Sequence, residues 1–457
     1  MDTGKIKTVY LLGIGGIGMS ALARYFHKLG ASVSGYDKTP TPLTDALIRE
    51  GMDIHFDENP GLIPENPDLV IYTPAVPADH KELVYLKEKG VPLKKRAEVL
   101  GLITKGTKTI AVAGTHGKTT TSTLIAHILA HAGVPIIAFL GGISKNYGTN
   151  FIQTGSPEYF VVEADEYDRS FLQLYPWIAV ITSADADHLD IYHSHDALKR
   201  SFGDFISQIE ENGHLVLKKN VSLFPDPVQK LNISSYSVPP GADYHAENIR
   251  KGNGTLVFDL HFPEGILKDI NPGLPGTFNL ENAIAASAVA LKADVSHDCL
   301  KEALESYQGV QRRFDFQVRR NDFIYIDDYA HHPEELKACI SAVRDIYPGK
   351  KIMGIFQPHL YSRTRDLAEG FAASLDLLDE AILLDIYPAR EKPIVGVTSS
   401  LILDMMKSPF KMICKKEELL KKLQQRKPEV LLTLGAGDID QLVGPIRELF
   451  TINKGNE

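Results

Sequence analysis

The 457-residue chain alternates short, continuous apolar segments with longer segments in which apolar residues recur every three or four positions. Segments of the first kind, such as VYLL and IAVA, predict strands buried on both faces. Segments of the second kind, such as STLIAHILAHAG, predict amphipathic helices. This alternation continues along the whole chain and indicates parallel sheets covered by helices. The predicted fold class is therefore α/β.

The order of these segments divides the chain into three domains, and a chain of this length exceeds what one hydrophobic core serves. Residues 1–104 are predicted to form a Rossmann-like domain. Residues 105–308 are predicted to form a central domain with a parallel sheet like that of P-loop ATPases. Residues 309–457 repeat the strand–helix pattern and predict a second Rossmann-like domain.

Composition narrows the class of protein. An apolar content of 44% and a net charge of −9 are those of a globular protein, and they argue against nucleic acid or a membrane surface as partners. No apolar run approaches the roughly 18 residues that span a bilayer, and the N-terminus enters a strand without a signal-peptide pattern. Three separated cysteines, Cys299, Cys339 and Cys414, predict neither a disulfide framework nor a zinc site. We expect a cytoplasmic location.

The segment TKTIAVAGTHGKTTT is the strongest chemical signal. A predicted strand enters a glycine loop, and a helix follows, so backbone N–H groups and the helix dipole can hold a phosphate. The loop is a variant of the Walker form, because Val112 stands where that form has glycine. The predicted phosphate-binding residues are Gly114, Thr115, His116, Gly117, Lys118, Thr119 and Thr120.

A second glycine loop lies near the N-terminus. Gly13, Gly15 and Gly18 fit G-x-G-x-x-G, and Asp37 follows at the distance of a ribose-binding acid. The loop is typical of dinucleotide-binding oxidoreductases, but it also occurs as a turn that only lets a helix pack closely on a strand. Because two separate phosphate loops suggest two phosphorylated ligands, the pattern favours an enzyme with two such substrates.

Acidic residues follow the central strands. Glu163 and Asp165 come directly after Phe160–Val162, and His188 lies in ADADHLD after the strand WIAVITS. Ligands of α/β sheets bind at this edge, and Mg²⁺ prefers oxygen ligands. A histidine in this position is equally typical of a hydrogen-bonded strand end, so the residues alone leave both roles open for His188.

Seven segments in one order resemble the Mur ligases, the ATP-dependent amide-forming enzymes of peptidoglycan precursor synthesis. They are GTHGKTTT, VVEADEYD, ADADHLD, PGTFNLENA, GVQRRFDF, DDYAHHPEE and QPHLYSRTRD. The resemblance covers residues 8 to about 440. It implies an enzyme that uses ATP and Mg²⁺ to join L-alanine to the carboxylate of UDP-N-acetylmuramate through an acyl phosphate.

Three alternatives stay open. A related ligase that attaches a recycled peptide to the same sugar nucleotide shares these motifs. A nicotinamide-dependent oxidoreductase explains only the first glycine loop. A non-catalytic nucleotide-binding module does not need a lysine, a hydroxyl and an acid around one phosphate.

The resemblance implies roles around ATP. Lys118 would contact the β- and γ-phosphates, Thr119 and Glu163 would hold one magnesium ion, and His188 would hold a second. Lys118, Glu163 and His188 are thus the expected catalytic residues. Asn279 and Asn282 match residues near adenine and ribose, although Phe278 stands where the family commonly has histidine. Arg313 and Asp328 match residues that reach ATP from the third domain, and Arg312 is expected to be their solvated neighbour.

The resemblance also implies where the other substrates bind. The UDP-sugar would bind at the first glycine loop, with Gly13, Gly15, Gly16, Gly18 and Asp37. Alanine would bind at His331 and at Arg363, whose guanidinium suits a carboxylate. This chain departs from the family at Leu360, where an arginine is common, so Arg365 or Arg390 would have to replace it.

Overall fold

The computed structural model describes residues 3–185, 189–222, 231–252, 254–389 and 391–452. Its strands form three separate sheets, which confirms the three α/β domains. The chain forms two compact units. One consists of Met1–Glu247, Asp259–Ile270 and Glu281–Tyr307, and the other of Asn248–Phe258, Asn271–Leu280 and Gln308–Glu457. The domain boundaries at 104/105 and 308/309 stay predictions.

The first domain is a five-stranded parallel sheet in the order β3-β2-β1-β4-β5. This is the strand order of a doubly wound nucleotide-binding sheet, and it confirms the Rossmann-like prediction. The elements are β1 (Thr8–Leu12), α1 (Ile17–Lys28), β2 (Ser32–Tyr36), α2 (Pro42–Arg49), β3 (Asp53–His55), β4 (Leu69–Tyr72), α3 (Lys81–Glu88), β5 (Leu93–Lys95) and α4 (Arg96–Thr104). The first glycine loop joins β1 to α1.

The second sheet has ten strands in the order β15-β14-β13-β12-β11-β10-β6-β9-β7-β8, parallel from β13 to β7, with β8 antiparallel to β7. Its elements are β6 (Lys108–Ala113), α5 (Lys118–His131), β7 (Ile136–Ser144), β8 (Thr149–Gln153), β9 (Tyr159–Ala164), β10 (Ile178–Ile181), α6 (Leu189–Tyr192), α7 (His195–Ser207), β11 (His214–Lys218), β12 (Asn232–Ser237), β13 (Tyr244–Gly252), β14 (Thr255–Phe262), β15 (Gly265–Ile270), α8 (Thr277–Lys292) and α9 (His297–Ser306). The phosphate loop joins β6 to α5, between the carboxyl ends of β9 and β10.

The third sheet has six strands in the order β16-β17-β21-β18-β19-β20, parallel except for β16. Its elements are β16 (Asp315–Arg319), β17 (Ile324–Asp328), α10 (Pro333–Ile346), β18 (Ile352–Phe356), α11 (Tyr361–Asp366), α12 (Ala368–Leu375), β19 (Glu380–Leu383), α13 (Ser400–Met405), β20 (Lys411–Ile413), α14 (Lys416–Gln424), β21 (Val430–Leu434) and α15 (Asp440–Ile452). Buried apolar clusters cover both of its faces.

Within the first unit, polar contacts fix helix α1 to strand β8 of the central domain. The guanidinium of Arg24 forms an ion pair with Glu50 at 2.7 Å and also donates to the side chain of Asn150. Asn150 in turn donates to Ser20 Oγ at 2.9 Å. One continuous apolar cluster joins the two domains beneath these contacts. The helix that follows the first glycine loop is therefore held directly against the domain that carries the phosphate loop.

Among the described residues, no helix combines the length and apolarity needed to cross a bilayer.

Candidate active site

The phosphate loop has a backbone that only glycine accommodates at its two ends. Gly114 has φ +139° and Gly117 has φ +82°, in the left-handed region that disfavours other residues. A Cβ atom on Gly114 would also lie 2.1 Å from Thr182 Oγ1. Strand β6 ends at Ala113 and helix α5 begins at Lys118, so the predicted strand–loop–helix is confirmed.

Residues at the end of β10 brace this loop. Thr182 Oγ1 donates to the carbonyl of Ala113 at 3.1 Å. Ser183 Oγ accepts the backbone N–H of His116 at 2.8 Å and lies 2.9 Å from Thr115 Oγ1. Sequence reasoning missed Thr182 and Ser183, because only the parallel pairing of β6 with β10 brings them beside the loop.

Lys118 is held across the loop by two oxygens. Its Nζ donates to the Gly114 carbonyl at 2.7 Å and to Glu166 Oε1 at 2.9 Å. Burial acts to lower the pKa of Lys118, but the carboxylates of Glu166, Asp165 and Glu163 outweigh it, so the pKa lies above its usual value. The lysine is therefore charged. Glu166, fully buried, is a partner that the sequence analysis did not single out.

Thr119 and Glu163 meet at the same edge of the sheet. Thr119 Oγ1 donates to Glu163 Oε2 at 2.8 Å, since β9 lies beside β6 with Glu163 opposite Val112. The sequence analysis expected Glu163 to follow the strand, but Glu163 lies within β9. Gly141 makes room for the carboxylate, because a Cβ there would lie 2.0 Å from Glu163 Oε2. The predicted metal ligand His188 lies outside the described residues.

The start of α5 also contacts later parts of the central domain. Asn282 is buried, and its Oδ1 accepts a hydrogen bond from Thr121 Oγ1 at 3.2 Å. The same oxygen would lie 2.8 Å from a Cβ on Gly117. The carbonyl of Thr120 accepts from Tyr307 at 3.4 Å. The structure thus brings Asn282 to the phosphate loop.

Asn279 has a local role in the second unit. Its Nδ2 donates to the carbonyl of Pro275 at 2.8 Å, which fixes the start of α8. Phe278, in the position where the family commonly has histidine, packs edge-on against Phe314 with ring centroids 5.5 Å apart. Phe278 therefore makes an apolar contact at this position.

The first glycine loop is closed by the acid that follows it. Asp37 Oδ2 accepts the backbone N–H of Gly15 at 2.7 Å. A Cβ on Gly15 would lie 2.8 Å from that oxygen, and one on Gly18 would lie 2.9 Å from Arg96 Nη1. Gly13 has φ +83°. The four predicted positions Gly13, Gly15, Gly16 and Gly18 thus form one tight turn, with Asp37 bound to it.

In the third domain, Arg312 is not the solvated residue that the sequence analysis expected. It donates to the Gly435 carbonyl at 2.6 Å and to Asp327 Oδ2 at 3.3 Å, so it ties two neighbouring strands together. Arg313 lies with its guanidinium 4.9 Å from the ring centroid of Tyr329. The expectation was wrong because the pairing of β21 with β17 places the Gly435 carbonyl close to Asp327, and Arg312 binds both.

Two adjacent carboxyl groups end strand β17. Burial raises the pKa of Asp327 to about 6, against the opposing effect of Arg312. Burial also raises the pKa of Asp328 to about 6, although Arg313 and two backbone N–H groups favour its charged form. Asp328 accepts those N–H groups from Phe314 at 2.6 Å and Ala330 at 2.8 Å. These two backbone hydrogen bonds hold the Asp328 side chain in one position within the domain.

These pKa values predict the pH at which the pair titrates. We expect carboxyl ¹³C NMR, assigned with Asp→Asn variants, to show Asp327 and Asp328 titrating near pH 6. Exposed Asp68, which accepts two backbone N–H groups, should titrate below 3.8. Because the folded-state values exceed the unfolded value of about 3.9, the pair favours folding most below pH 4 and loses that contribution as pH rises through 6. Titration of all three groups below pH 4 would contradict this.

His331 and Arg363 lie near one another in the third domain. Burial lowers the pKa of His331, Glu335 opposes this, and the positive charge of Arg363 adds to it. His331 Nδ1 lies 3.0 Å from the Tyr329 carbonyl, so that nitrogen carries the hydrogen. Within the described residues, the half-buried guanidinium of Arg363 has no hydrogen-bonded or ion-paired side chain. The pair therefore offers an imidazole and a charged guanidinium to a ligand.

The residue that replaces the family's second arginine has an unusual backbone. Leu360 has φ +69°, donates its N–H to the Tyr387 carbonyl at 3.0 Å, and precedes α11. Such a conformation costs of order 1–3 kcal/mol in a non-glycine residue and persists only where its surroundings require it. Of the two suggested substitutes, Arg365 is exposed and paired with Asp366 at 2.7 Å, and Arg390 lies outside the described residues.

Three protein-family profiles match the chain. "Mur ligase family, catalytic domain" matches residues 8–108, "Mur ligase middle domain" matches 112–290, and "Mur ligase, glutamate ligase domain" matches 312–437. Together they account for most of the sequence.

Individual proteins are similar over the full length. The UDP-N-acetylmuramate–L-alanine ligase of Parabacteroides distasonis is 51% identical over 455 residues, which is 98% of each chain. The crystal structure of the UDP-N-acetylmuramate–alanine ligase of Thermotoga maritima has a TM-score of 0.84 at 28% identity, covering 98% of this chain and 100% of its own. A murein peptide ligase of Psychrobacter arcticus shares the fold, with a TM-score of 0.71 at 22% identity over 98% and 99% of the two chains.

Proposed function

This chain belongs to the Mur ligase family, and on that premise we propose that it joins L-alanine to the carboxylate of UDP-N-acetylmuramate at the expense of ATP. A carboxylate oxygen attacks the γ-phosphorus of ATP, the bond to the bridging oxygen breaks, and ADP leaves. The alanine amine then attacks the acyl phosphate, loses a proton and displaces phosphate. The products are UDP-N-acetylmuramoyl-L-alanine, ADP and phosphate, and the reaction belongs to peptidoglycan precursor synthesis.

The observation that carries this proposal is the convergence of Lys118, Thr119 and Glu163 at one sheet edge. A charged lysine beside a helix N-terminus stabilises charge on a phosphoryl group during transfer. Because phosphoryl transfer needs little covalent chemistry from the protein, positioning and charge neutralisation by such groups provide most of the catalysis. A dinucleotide oxidoreductase would not use this arrangement.

The same oxygens fit a magnesium ion. Thr119 Oγ1 and Glu163 Oε2 lie 2.8 Å apart, and both are the hard oxygen donors that Mg²⁺ prefers. We propose that they hold one Mg²⁺, with the transferring phosphates, and that His188 holds a second, as the family resemblance implies. A bound magnesium ion would neutralise phosphate charge.

For the nucleotide, we propose that backbone N–H groups of residues 114–120 hold the phosphates. Asn279 and Asn282 would lie near the adenosine, and Arg313 and Asp328 would contact ATP from the third domain. Support for Asn282 is its position against Gly117. Support for Asp328 is the pair of backbone hydrogen bonds that fix it.

The UDP-sugar is proposed to bind at the first glycine loop. The turn formed by Gly13, Gly15, Gly16 and Gly18 leads directly into the N-terminus of α1, whose free backbone N–H groups can hold a phosphate. Asp37 would act by holding Gly15 in place and not necessarily by direct contact with a ribose, since its Oδ2 is already bound to that N–H. The UDP-sugar and ATP must meet for phosphoryl transfer. The attachment of α1 to the central domain therefore supports this placement of the UDP-sugar.

Alanine is proposed to bind His331 and Arg363. We expect Arg363→Ala to raise KM for alanine by about 10- to 100-fold, because a charge-assisted bond to a carboxylate contributes roughly 1.5–3 kcal/mol. The KM for ATP should stay unchanged. The matched control is Arg365→Ala, two residues further on, where the guanidinium is exposed and paired with Asp366. Equal effects of both variants in initial-rate assays would contradict the assignment of Arg363.

Phosphate release with a panel of acceptors separates the rival functions. Turnover with UDP-N-acetylmuramate, ATP and alanine, but not with a tripeptide, supports the proposal. Turnover with the tripeptide alone would favour the peptide-recycling ligase. Binding of NAD without ATP consumption would favour an oxidoreductase.

We also propose that the enzyme works in the cytoplasm, where ATP is supplied, and that its substrates are small molecules. The three cysteines, Cys299, Cys339 and Cys414, are free thiols, as expected in a reducing compartment.

A further inference from the structure

Three potential metal ligands lie together on the outer part of the central sheet, outside the residues proposed for ATP. His245 and Glu247 share one face of strand β13, two residues apart, and His261 lies on neighbouring strand β14. One ligand atom from each lies within 4.8 Å of the other two. Within the described part of the chain, this is the single group of three such side chains at that spacing.

The distances suit one small ion. His245 Nε2 lies 3.5 Å from Glu247 Oε1, and His261 Nε2 lies 3.2 Å from Glu247 Oε2. In a tetrahedral zinc site with bonds of 2.0–2.1 Å, ligand atoms lie roughly 3.3 Å apart. Each imidazole nitrogen therefore already lies at this spacing from one oxygen of the Glu247 carboxylate. The two imidazole rings lie side by side, with centroids 4.9 Å apart and planes 22° apart.

The hydrogen bonding of His245 favours metal binding. Its Nδ1 lies 2.9 Å from the carbonyl of Ala242. Because a carbonyl can only accept, Nδ1 carries the hydrogen, and Nε2 of the neutral ring presents its lone pair toward Glu247. A metal-bound histidine usually donates its other ring N–H to a carbonyl or carboxylate, which fixes the orientation of the ring. The orientation needed for coordination is thus present in the folded chain.

Exposure and chemistry indicate the class of ion. The side chains of His245, His261 and Glu247 are 17%, 23% and 40% exposed, so an ion can enter from solvent. Two imidazole nitrogens and one carboxylate suit Zn²⁺ and its first-row neighbours, whereas Mg²⁺ and Ca²⁺ prefer oxygen ligands. Three protein ligands leave a fourth position for water.

The cluster is separate from the phosphate loop. In the order β13-β12-β11-β10-β6, strand β13 lies four places from the strand that enters the loop. At about 4.8 Å per strand this is roughly 19 Å. An ion here would therefore not touch the transferring phosphate.

We propose that His245, Glu247 and His261 form a site for a divalent first-row transition metal ion, with Zn²⁺ as the probe. The ion binds both histidine Nε2 atoms and the glutamate carboxylate, and it cross-links strands β13 and β14. The role of the ion is structural, because it holds together two strands at the outer side of the central sheet. This role goes beyond the proposed ligase activity.

The test is a zinc titration of the metal-stripped, full-length protein in a His188→Ala background, which removes the histidine proposed for the catalytic site. Isothermal calorimetry should show one binding event, and His245→Gln and His261→Gln should each weaken it by 100-fold or more, beyond the ~10–100-fold effect typical of residues that only support a ligand. Co²⁺ should give visible d–d absorption with the His188→Ala parent, but not when His245→Gln or His261→Gln is added to it. Zinc should raise the thermal unfolding midpoint of the parent but not of either variant.

The matched control is His131→Gln. His131 Nε2 lies 3.7 Å from Glu302 Oε2, and among the described residues this histidine–glutamate pair belongs to no group of three ligands at metal-binding distance. This variant should bind zinc as the parent does. Equal zinc affinity in the parent, His245→Gln and His261→Gln, or no binding by the parent, would overturn the proposal and would leave the ligase function untouched.

Discussion

Replacement of Lys118 by methionine should reduce kcat for ligation by about 10³-fold, the effect of removing a group that stabilises transition-state charge. Lys118 is buried, remains charged beside Glu166, and lies at the N-terminus of α5 where a γ-phosphate would be held. Methionine keeps the length of the side chain and removes its charge. Steady-state phosphate release measures the loss.

The design must separate lost catalysis from lost stability, because methionine leaves the carboxylate of Glu166 buried without its lysine, and breaking a buried pair costs about 3–5 kcal/mol. In the double variant Lys118→Met/Glu166→Gln that side chain is a neutral amide, so the unfolding midpoint should recover while kcat stays reduced by about 10³-fold. Lys108→Met is the surface control, since Lys108 pairs with Glu158 at half-exposed positions. Retention of more than a tenth of the activity in the single variant would contradict the role of Lys118.

The second large effect is expected at Glu163. Glu163→Gln replaces a negatively charged carboxylate proposed as a ligand of Mg²⁺ with a neutral amide, so kcat should fall by about 10²-fold or more and the Mg²⁺ concentration for half-maximal activity should rise. A magnesium titration of the ligation rate measures both. Glu158→Gln, an exposed residue just before the opposite end of β9, should behave as the parent protein. An unchanged magnesium titration in Glu163→Gln would show that another residue holds the metal.

Gly141→Ala tests the same carboxylate without removing its charge. A Cβ at this position would lie 2.0 Å from Glu163 Oε2, so the carboxylate must move away from Thr119. We therefore expect a raised magnesium requirement in this variant as well. If Gly141→Ala matched the parent protein, the position of Glu163 would not matter for metal binding.

The sequence predicted those features whose residues lie close together along the chain. The phosphate loop was readable because its strand, glycines, lysine and hydroxyl follow one another within fifteen residues, and each has its chemistry independently of the rest of the fold. The strand–helix alternation predicted three α/β domains for the same reason. Glu163 was found because carboxyl ends of parallel strands meet at one edge, although it lies within its strand and not after it.

What the sequence did not show depends on contacts between distant segments. Glu166 looked like one more acid in VVEADEYD, and only the fold shows it bound to Lys118. Arg312 and Arg313 are adjacent and chemically identical, and only the fold shows that Arg312 is the one bound to the Gly435 carbonyl and to Asp327. His261 lies fourteen residues beyond Glu247, and only the neighbouring positions of β13 and β14 bring them together.

Transfer of oxygen from the sugar carboxylate to phosphate tests the ligase account most directly. UDP-N-acetylmuramate labelled with ¹⁸O at both carboxylate oxygens is incubated with ATP, Mg²⁺, alanine and the enzyme, and the phosphate is analysed by mass spectrometry. The account predicts one ¹⁸O in each phosphate released and one in the new amide carbonyl, because the carboxylate oxygen that attacks ATP leaves with the phosphoryl group. Unlabelled phosphate, or ATP consumption without an amide product, would contradict it.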